Sequence, residues 1–344
     1  MDYFTLDLMV LLLSWHCICL PSNTEKVSVN KLFQNLMKRC YHDNRAILKN
    51  NLELLKTMTE CWRHLINIPV EILNNYLKSS DPKKLTAGIQ LFGVVLSNNV
   101  ENYDYPASFN KIEFYKCLIR CMKDTSKTIH AAAAEVIGML LNSLSKVEKD
   151  LDRDGQKMID EIVLYLNEQF KDMRIELFIT CVHRITLNFP EISNNFMAKL
   201  LFNLPKLFGE FKIMCAESIL SSIKQVTDPI FKLPTFTEMI EHRDSSLQLV
   251  CLKMIYALID KQTPEELARL LKLVCNFIDH PNVACRYQML EILRLVDEIY
   301  HNVDNHLTSV VKKLTYETML KLLLDEDQVI RLMAQNFWIE KVKD

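Results

Sequence analysis

Glycine is nearly missing from this chain, with five in 344 residues, against a usual share of about 7%. Tight hairpins and phosphate-cradling loops depend on its backbone freedom. Its scarcity argues for helix after helix and against a nucleotide-binding sheet. No Gly-x-Ser-x-Gly elbow, Walker loop or dinucleotide fingerprint occurs, so the usual frames for nucleophilic or nucleotide chemistry are lacking. Asn-x-Ser/Thr glycosylation acceptors are absent as well. The eleven cysteines lie within hydrophobic runs instead of framing loops, as small buried hydrophobes do in a reducing compartment. A net charge of −2 gives no global drive toward nucleic acid or anionic lipid.

One long apolar run stands out at Leu8–Leu20 (LMVLLLSWHCICL). It falls short of the ~20 residues that cross a bilayer. Asp2 and Asp7 precede it, where a signal peptide carries positive charge. A buried helix is the expectation, with no membrane partner. The secreted alternative would require cleavage near Ser22.

What the chain does contain is helix-forming Leu, Ile, Met, Lys, Glu and Asn. Asp279–Val296 (DHPNVACRYQMLEILRLV) shows the pattern. Pro281 sits in an opening turn, and Val283, Tyr287, Leu290 and Leu293 recur on one helix face. Ala284, Met289, Ile292 and Val296 widen that stripe, so the helix calls for neighbours on two sides.

The same unit recurs along the chain. Tyr41–Met58 places His42 and Leu52 where His280 and Leu290 stand, and Asp81–Leu96 puts Leu91 at that place. Asp124–Leu141 carries four consecutive alanines, a sign of close helix packing. His242–Ile259 places Leu252 in register, and Asp325–Trp338 matches Arg331 to Arg286. Asp172–Phe189 and Phe208–Val226 fill the gap between. Units therefore start near 42, 81, 124, 172, 208, 242, 280 and 325 in a single segment, 1–344. Spacings of about 40 residues are those of HEAT and armadillo repeats, helix pairs that bury their apolar faces by stacking. The fold class is all-α, an α-solenoid of HEAT-like repeats. Upstream, Thr24 or Ser28 can cap a helix carrying Val29, Leu32, Phe33 and Leu36. Asn98–Phe109 and Lys146–Gly155 read as longer loops.

Candidate chemistry is sparse. His242-Arg243-Asp244 copies three letters of a kinase catalytic loop without the Gly-rich loop, strand lysine or Asp-Phe-Gly that a kinase needs. In its place at a repeat turn, Asp244 suits an N-cap. Cys17-x-Cys19 with His16, Cys40-x-His42 and Cys117-x3-Cys121 are the closest metal-type pairs, each short of four ligands. His301 and His306 flank a loop and read as solvated. Trp15, Trp62 and Trp338 read as core anchors. Catalytic, cofactor and metal residues are all expected to be none. Glu25–Arg63 holds eight Lys/Arg against four Asp/Glu, about +4, and Glu148–Glu176 holds nine acids against five bases, about −4. Both read as solvated faces, with the basic one a candidate DNA surface. Lys83-Lys84 and Lys312-Lys313 are too isolated to track a phosphate backbone.

Particular strings carry a resemblance. LDLMVLLLSWH (Leu6–His16), NTEKVSVNKLFQNLMKRCYHDNRA (Asn23–Ala46), ECW (Glu60–Trp62), GIQLFG (Gly88–Gly93) and AAAAEVIG (Ala131–Gly138) are among them. EHRD (Glu241–Asp244), VCLKMIY (Val250–Tyr256), HPNVACR (His280–Arg286) and NFW (Asn336–Trp338) complete the set. In this order, from about Leu6 to Trp338, the chain resembles the DNA-dependent branch of the phosphatidylinositol-3-kinase-related kinases. The resemblance implies a fragment or truncated gene model from the middle of a very large chain, in a ring-like HEAT cradle between an N-terminal solenoid and the C-terminal kinase. It implies a role in DNA double-strand-break repair by non-homologous end joining. It also implies partners in the rest of that chain, the Ku heterodimer and DNA ends, and a nuclear or nucleolar location. No kinase motif of the family has a matching position here. The family favours Ser or Thr followed by Gln, a dipeptide this chain lacks. A stand-alone HEAT adaptor is the alternative.

Overall fold

The computed structural model describes residues 23–40, 45–62, 66, 69–97, 111–122, 126–147, 153–171, 173–225, 234–303 and 306–343. Among them the secondary structure is helical throughout, without a strand. Leu8–Leu20, Trp15, His16, Cys17, Cys19, His42 and the Asn98–Phe109 segment lie outside the described residues.

The chain divides into two compact units, 1–195 and 196–344. The first holds α1 (Asn23–Lys38), α2 (Arg45–Trp62), α3 (Val70–Leu77), α4 (Pro82–Ser97), α5 (Lys111–Met122), α6 (Lys127–Val147), α7 (Arg153–Gln169) and α8 (Ile175–Thr186). The second helices stack in sequence order, α2 on α4, α4 on α6 and α6 on α8. The first helices α1, α3 and α5 pack against α2, α4 and α6, and α7 packs on α6.

The second unit repeats the scheme with α9 (Met197–Asn203), α10 (Gly209–Leu220), α11 (Pro234–Ile240), α12 (Ser245–Leu258), α13 (Pro264–Val274), α14 (Val283–Tyr300), α15 (His306–Leu322) and α16 (Gln328–Lys343). Here α10 stacks on α12, α12 on α14 and α14 on α16, while α13 lies along α15. A helix touching the one two places further on is the contact pattern of a solenoid, in which each repeat meets only its neighbours.

Local sequence explains where these helices begin. Asp81, Asp244, Asn282 and Asp327 each accept a backbone N–H from one turn inside the following helix, meeting donors the helix cannot satisfy itself. Helix α13 opens with a capping box in which Thr263 and Glu266 bond each other's backbone N–H, with Pro264 in the first turn. At the other end of the chain α1 already begins at Asn23. Thr24 and Ser28 therefore fall within the helical range. Lys146 ends within α6 and Arg153–Gly155 opens α7, so the expected charged loop is helical at both ends.

Burial follows helical spacing but not always the predicted face. In α2 the buried residues are Asn51, Leu54, Leu55, Met58 and Thr59, a single stripe. Leu91, Leu252 and Leu290 are fully buried, whereas their counterpart Leu52 is only half-buried. In α14 the stripe turns relative to the prediction. Val283 and Tyr287 are exposed, at 43% and 40%, and Ala284 is exposed too. Met289, Leu290, Ile292, Leu293 and Val296 form the sealed face. The reason is that α12, α15 and α16 cover α14 at once, and they close over the flank carrying Cys285, Met289, Ile292 and Val296 while leaving that of Val283, Ala284 and Tyr287 in solvent. A fully buried side chain of this size contributes about 1.5–3 kcal/mol, so the broad face of α14 anchors its unit.

Closest packing occurs around α6. Ala132, Ala133 and Ala134 are buried, and a methyl on Gly138 would sit 2.5 Å from the carbonyl oxygen of Ile185 in α8. On the α4 side, a methyl on Gly93 would meet Val136 at 2.9 Å. Small residues thus let α6 approach the backbone of α8 at Gly138 and seat Val136 and Met139 against the α4 backbone at Gly93.

Candidate functional site

The polar side chains with the most defined geometry gather where one repeat meets the next, in the turn before a second helix. His242 Nδ1 accepts the backbone N–H of Asp244 at 3.0 Å, and Asp244 Oδ1 accepts that of Ser246 at 2.9 Å. The next turn repeats this with His280 Nδ1 accepting from Asn282 N–H at 3.1 Å and Asn282 Oδ1 from Ala284 N–H at 2.9 Å. The kinase-like triplet is therefore a helix-start motif, with Asp244 as its N-cap. Because His280 Nδ1 is an acceptor, its proton lies on Nε2, which donates to Gln248 Oε1 at 2.9 Å. Gln248 in turn donates to the Ile240 carbonyl at 3.1 Å. One relay thus ties α11, α12 and the turn before α14.

A buried ion pair follows. Arg286 of α14 donates from Nε and Nη2 to both carboxylate oxygens of Asp325, at 2.8 and 3.0 Å, and from Nη1 to the His280 carbonyl at 2.7 Å. The side chains are 9% and 3% exposed. Burial opposes ionisation of Asp325. The Arg286 hydrogen bonds, the Asp327 N–H and the charges of Arg286 and Arg331 outweigh it, holding the carboxyl below its usual range. The Asp325 hydrogen bond is the chief cause that raises the Arg286 guanidinium further. Arg331 takes the equivalent place in α16 and donates to the carbonyls of Asp325 and Glu326. A second lock lies deeper in the same unit. Asp297 accepts from Tyr316 at 2.9 Å and pairs with Lys341 at 2.7 Å, and Lys341 also donates to His301 Nδ1.

These groups spend their hydrogen-bonding capacity on one another, as structural locks do. The remaining sequence candidates are dispersed. Cys117 and Cys121 lie one turn apart on α5, and no group of three or more His, Cys, Asp or Glu is placed to hold a metal among the described residues. Cys40 is buried, and its partner His42 is outside the described residues. His301 and His306 are both exposed. Trp338 is half-buried against Tyr316 and Phe337. Lys31 and Lys38 of α1, Arg39 just after it, and Lys49 and Lys56 of α2 are exposed, as is Glu53. Asp160, Glu161, Glu168 and Glu176 are exposed on α7 and α8. No helix among the described residues is long and apolar enough to cross a membrane.

Sequence reasoning missed Asp325, Asp297 and Tyr76. Tyr76 of α3 is buried, and its hydroxyl donates to the Met37 and Lys38 carbonyls at the end of α1. A signal existed only for Asp325, an acid two residues before an N-cap. The other two lie inside helices and become partners only on stacking.

Stacked helix pairs with polar locks at their junctions define a HEAT-like α-solenoid segment, distinct from a kinase domain. A solved chain from a complex of Kap95p with RanGDP shares the fold, with a TM-score of 0.56 at 13% identity over 93% of this chain and 42% of that one. The family described as DNA-PKcs, CC5 matches residues 30–343, and the chain belongs to it. The DNA-dependent protein kinase catalytic subunits of Canis lupus familiaris, Gallus gallus and Xenopus laevis are 32%, 31% and 32% identical over 99% of this chain. The chain spans 8% of the length of each of these relatives.

Proposed function

We propose that this chain is a non-catalytic HEAT-repeat scaffold segment of a DNA-dependent protein kinase catalytic subunit, acting in double-strand-break repair by non-homologous end joining. The observation that carries this reading is the family match across residues 30–343, coincident with the stacked helices. Its binding partners in this reading are the rest of the parent chain, the Ku heterodimer and, through the assembled complex, DNA ends. Its location is the nucleus, including the nucleolus. The exposed Lys31, Lys38, Lys49 and Lys56 of α1 and α2 suit direct contact with phosphates, which would weaken steeply with salt.

Two experiments test the reading. Purified chain incubated with ATP and a protein substrate should show no hydrolysis or phosphotransfer. Turnover abolished by Asp244→Asn would overturn the scaffold assignment, since that residue caps α12. Immobilised chain should retain Ku assembled on a short duplex more strongly than either component alone. Failure to retain it at low salt, by chain shown to be folded by circular dichroism, removes Ku and DNA from the proposal.

A further inference from the structure

Helix α14 is packed against α12, α15 and α16, yet one line along it stays open. Ala284, Tyr287 and Glu298 are exposed there, with Glu291 and Arg294 half-buried between them. Steps of three and four residues keep all of these on one side of the helix. The same steps in α16, counted from Val329, reach Leu332, Asn336 and Ile339, all exposed. Val329, Leu332 and Ile339 are 56%, 49% and 53% exposed, large values for apolar side chains on one helix face. Polar contacts fix how the two helices lie. Arg286 in the first turn of α14 reaches Asp325 just ahead of α16, and Asp297 near the end of α14 pairs with Lys341 near the end of α16 at 2.7 Å. The helices therefore run side by side in the same direction, and the stretch around Tyr287 lies beside that around Leu332. The two open lines border one another. Since α14 has neighbours on its other flanks and still exposes this one, the open line belongs to the repeat itself.

We propose that this paired face of α14 and α16 docks a basic amphipathic helix of a partner protein. Single exposed apolar side chains are ordinary on a protein surface, whereas a contiguous set with a polar border marks an interaction face. Here Ala284, Tyr287, Val329, Leu332 and Ile339 supply the apolar strip. Carboxylates supply the border. Glu298 of α14 and Glu340 of α16 are exposed near the C-terminal ends of their helices, where the helix dipoles add negative charge. Arg294, the one base on the α14 line, is already engaged by Glu291 at 3.5 Å. The charge left over is negative, which selects lysine or arginine in the partner and disfavours nucleic acid or an acidic peptide. From Ala284 to Glu298 the line runs about 21 Å, about four helical turns. A partner helix of that length sets apolar residues at helical spacing against the strip and its basic residues against Glu298 and Glu340, the helix-on-helix mode of peptide recognition.

The test uses the full chain and a fluorescein-labelled model helix of about 16 residues, leucine on one face and lysine on the other, read by fluorescence anisotropy. Two control peptides accompany it, one with glutamate for every lysine and one with the same composition in scrambled order. The leucine–lysine helix should bind saturably and at least tenfold more tightly than either control. Leu332→Ser combined with Ile339→Ser changes only side chains already in solvent, and should weaken binding about tenfold while circular dichroism and the urea midpoint stay as they were. Glu298→Gln with Glu340→Gln should weaken it several-fold and flatten its dependence on salt. Binding unchanged in the double serine variant overturns the proposal, as does equal binding of the glutamate peptide. Self-association of the chain that the serine variant abolishes would assign the face to a second copy and overturn it as well.

Discussion

Replacing Asp325 with alanine removes the acceptor for both forks of Arg286 and leaves a guanidinium that is 9% exposed without its counter-charge. Breaking one partner of a buried pair costs about 3–5 kcal/mol. The lower end applies here, because the neighbouring Glu326 is exposed and water can reach the lip of the turn. In a solenoid such a loss stays near the junction it weakens, so it is best read locally. Hydrogen exchange of α14 and α16 amides should speed up by about two orders of magnitude, at about 1.4 kcal/mol per tenfold. Amides in α4 and α6 should keep their rates. Arg286→Met combined with Asp325→Leu should recover much of the loss, because no charge is then left buried. The pair also predicts a pH dependence. The Asp325 carboxyl is lowered in the folded chain, so its stabilisation is fully present above the unfolded value of about 3.9 and is lost as pH falls through the folded value. Arg286 stays cationic throughout that range. Unchanged exchange in Asp325→Ala, or a double variant no better than the single one, would refute the reasoning.

Other changes probe other junctions. Gly138→Ala adds intrinsic helix preference of about 1 kcal/mol, yet its methyl would meet the Ile185 carbonyl oxygen at 2.5 Å. Backbone cannot step aside as a side chain can, so a net loss of about 1–3 kcal/mol is expected, seen as a lower urea midpoint. Tyr76→Phe keeps the packing of α3 but leaves the Met37 and Lys38 carbonyls without that hydroxyl. It should cost about 1–3 kcal/mol and speed exchange at the end of α1. Thr263→Ala removes the capping box of α13 and should destabilise by about 1 kcal/mol, with fraying confined to its first turn in exchange measurements.

The all-helical class and the stacked-repeat character were legible because they rest on local quantities. Near-absent glycine, apolar positions at helical spacing and cap residues such as Asp244 each act within a few residues of chain. Asp244 kept that role against the pull of a kinase-like triplet, since a cap needs only its own next turn. What remained hidden depends on which neighbour covers which flank. Periodicity placed Val283 and Tyr287 on the buried face of α14, but three packed helices settle the covering, and they leave those two side chains in solvent while sealing Met289, Ile292 and Val296. Arg286 finds Asp325 across 39 residues of sequence, and Asp297 finds Lys341 and Tyr316. No local pattern marks such pairs. Sequence by itself determined that this chain is a run of stacking helices, because hydrogen bonding and amphipathicity are set within each helix. Only the tertiary structure decided which faces close and which charges pair, because burial and local electric fields arise from residues distant in the chain.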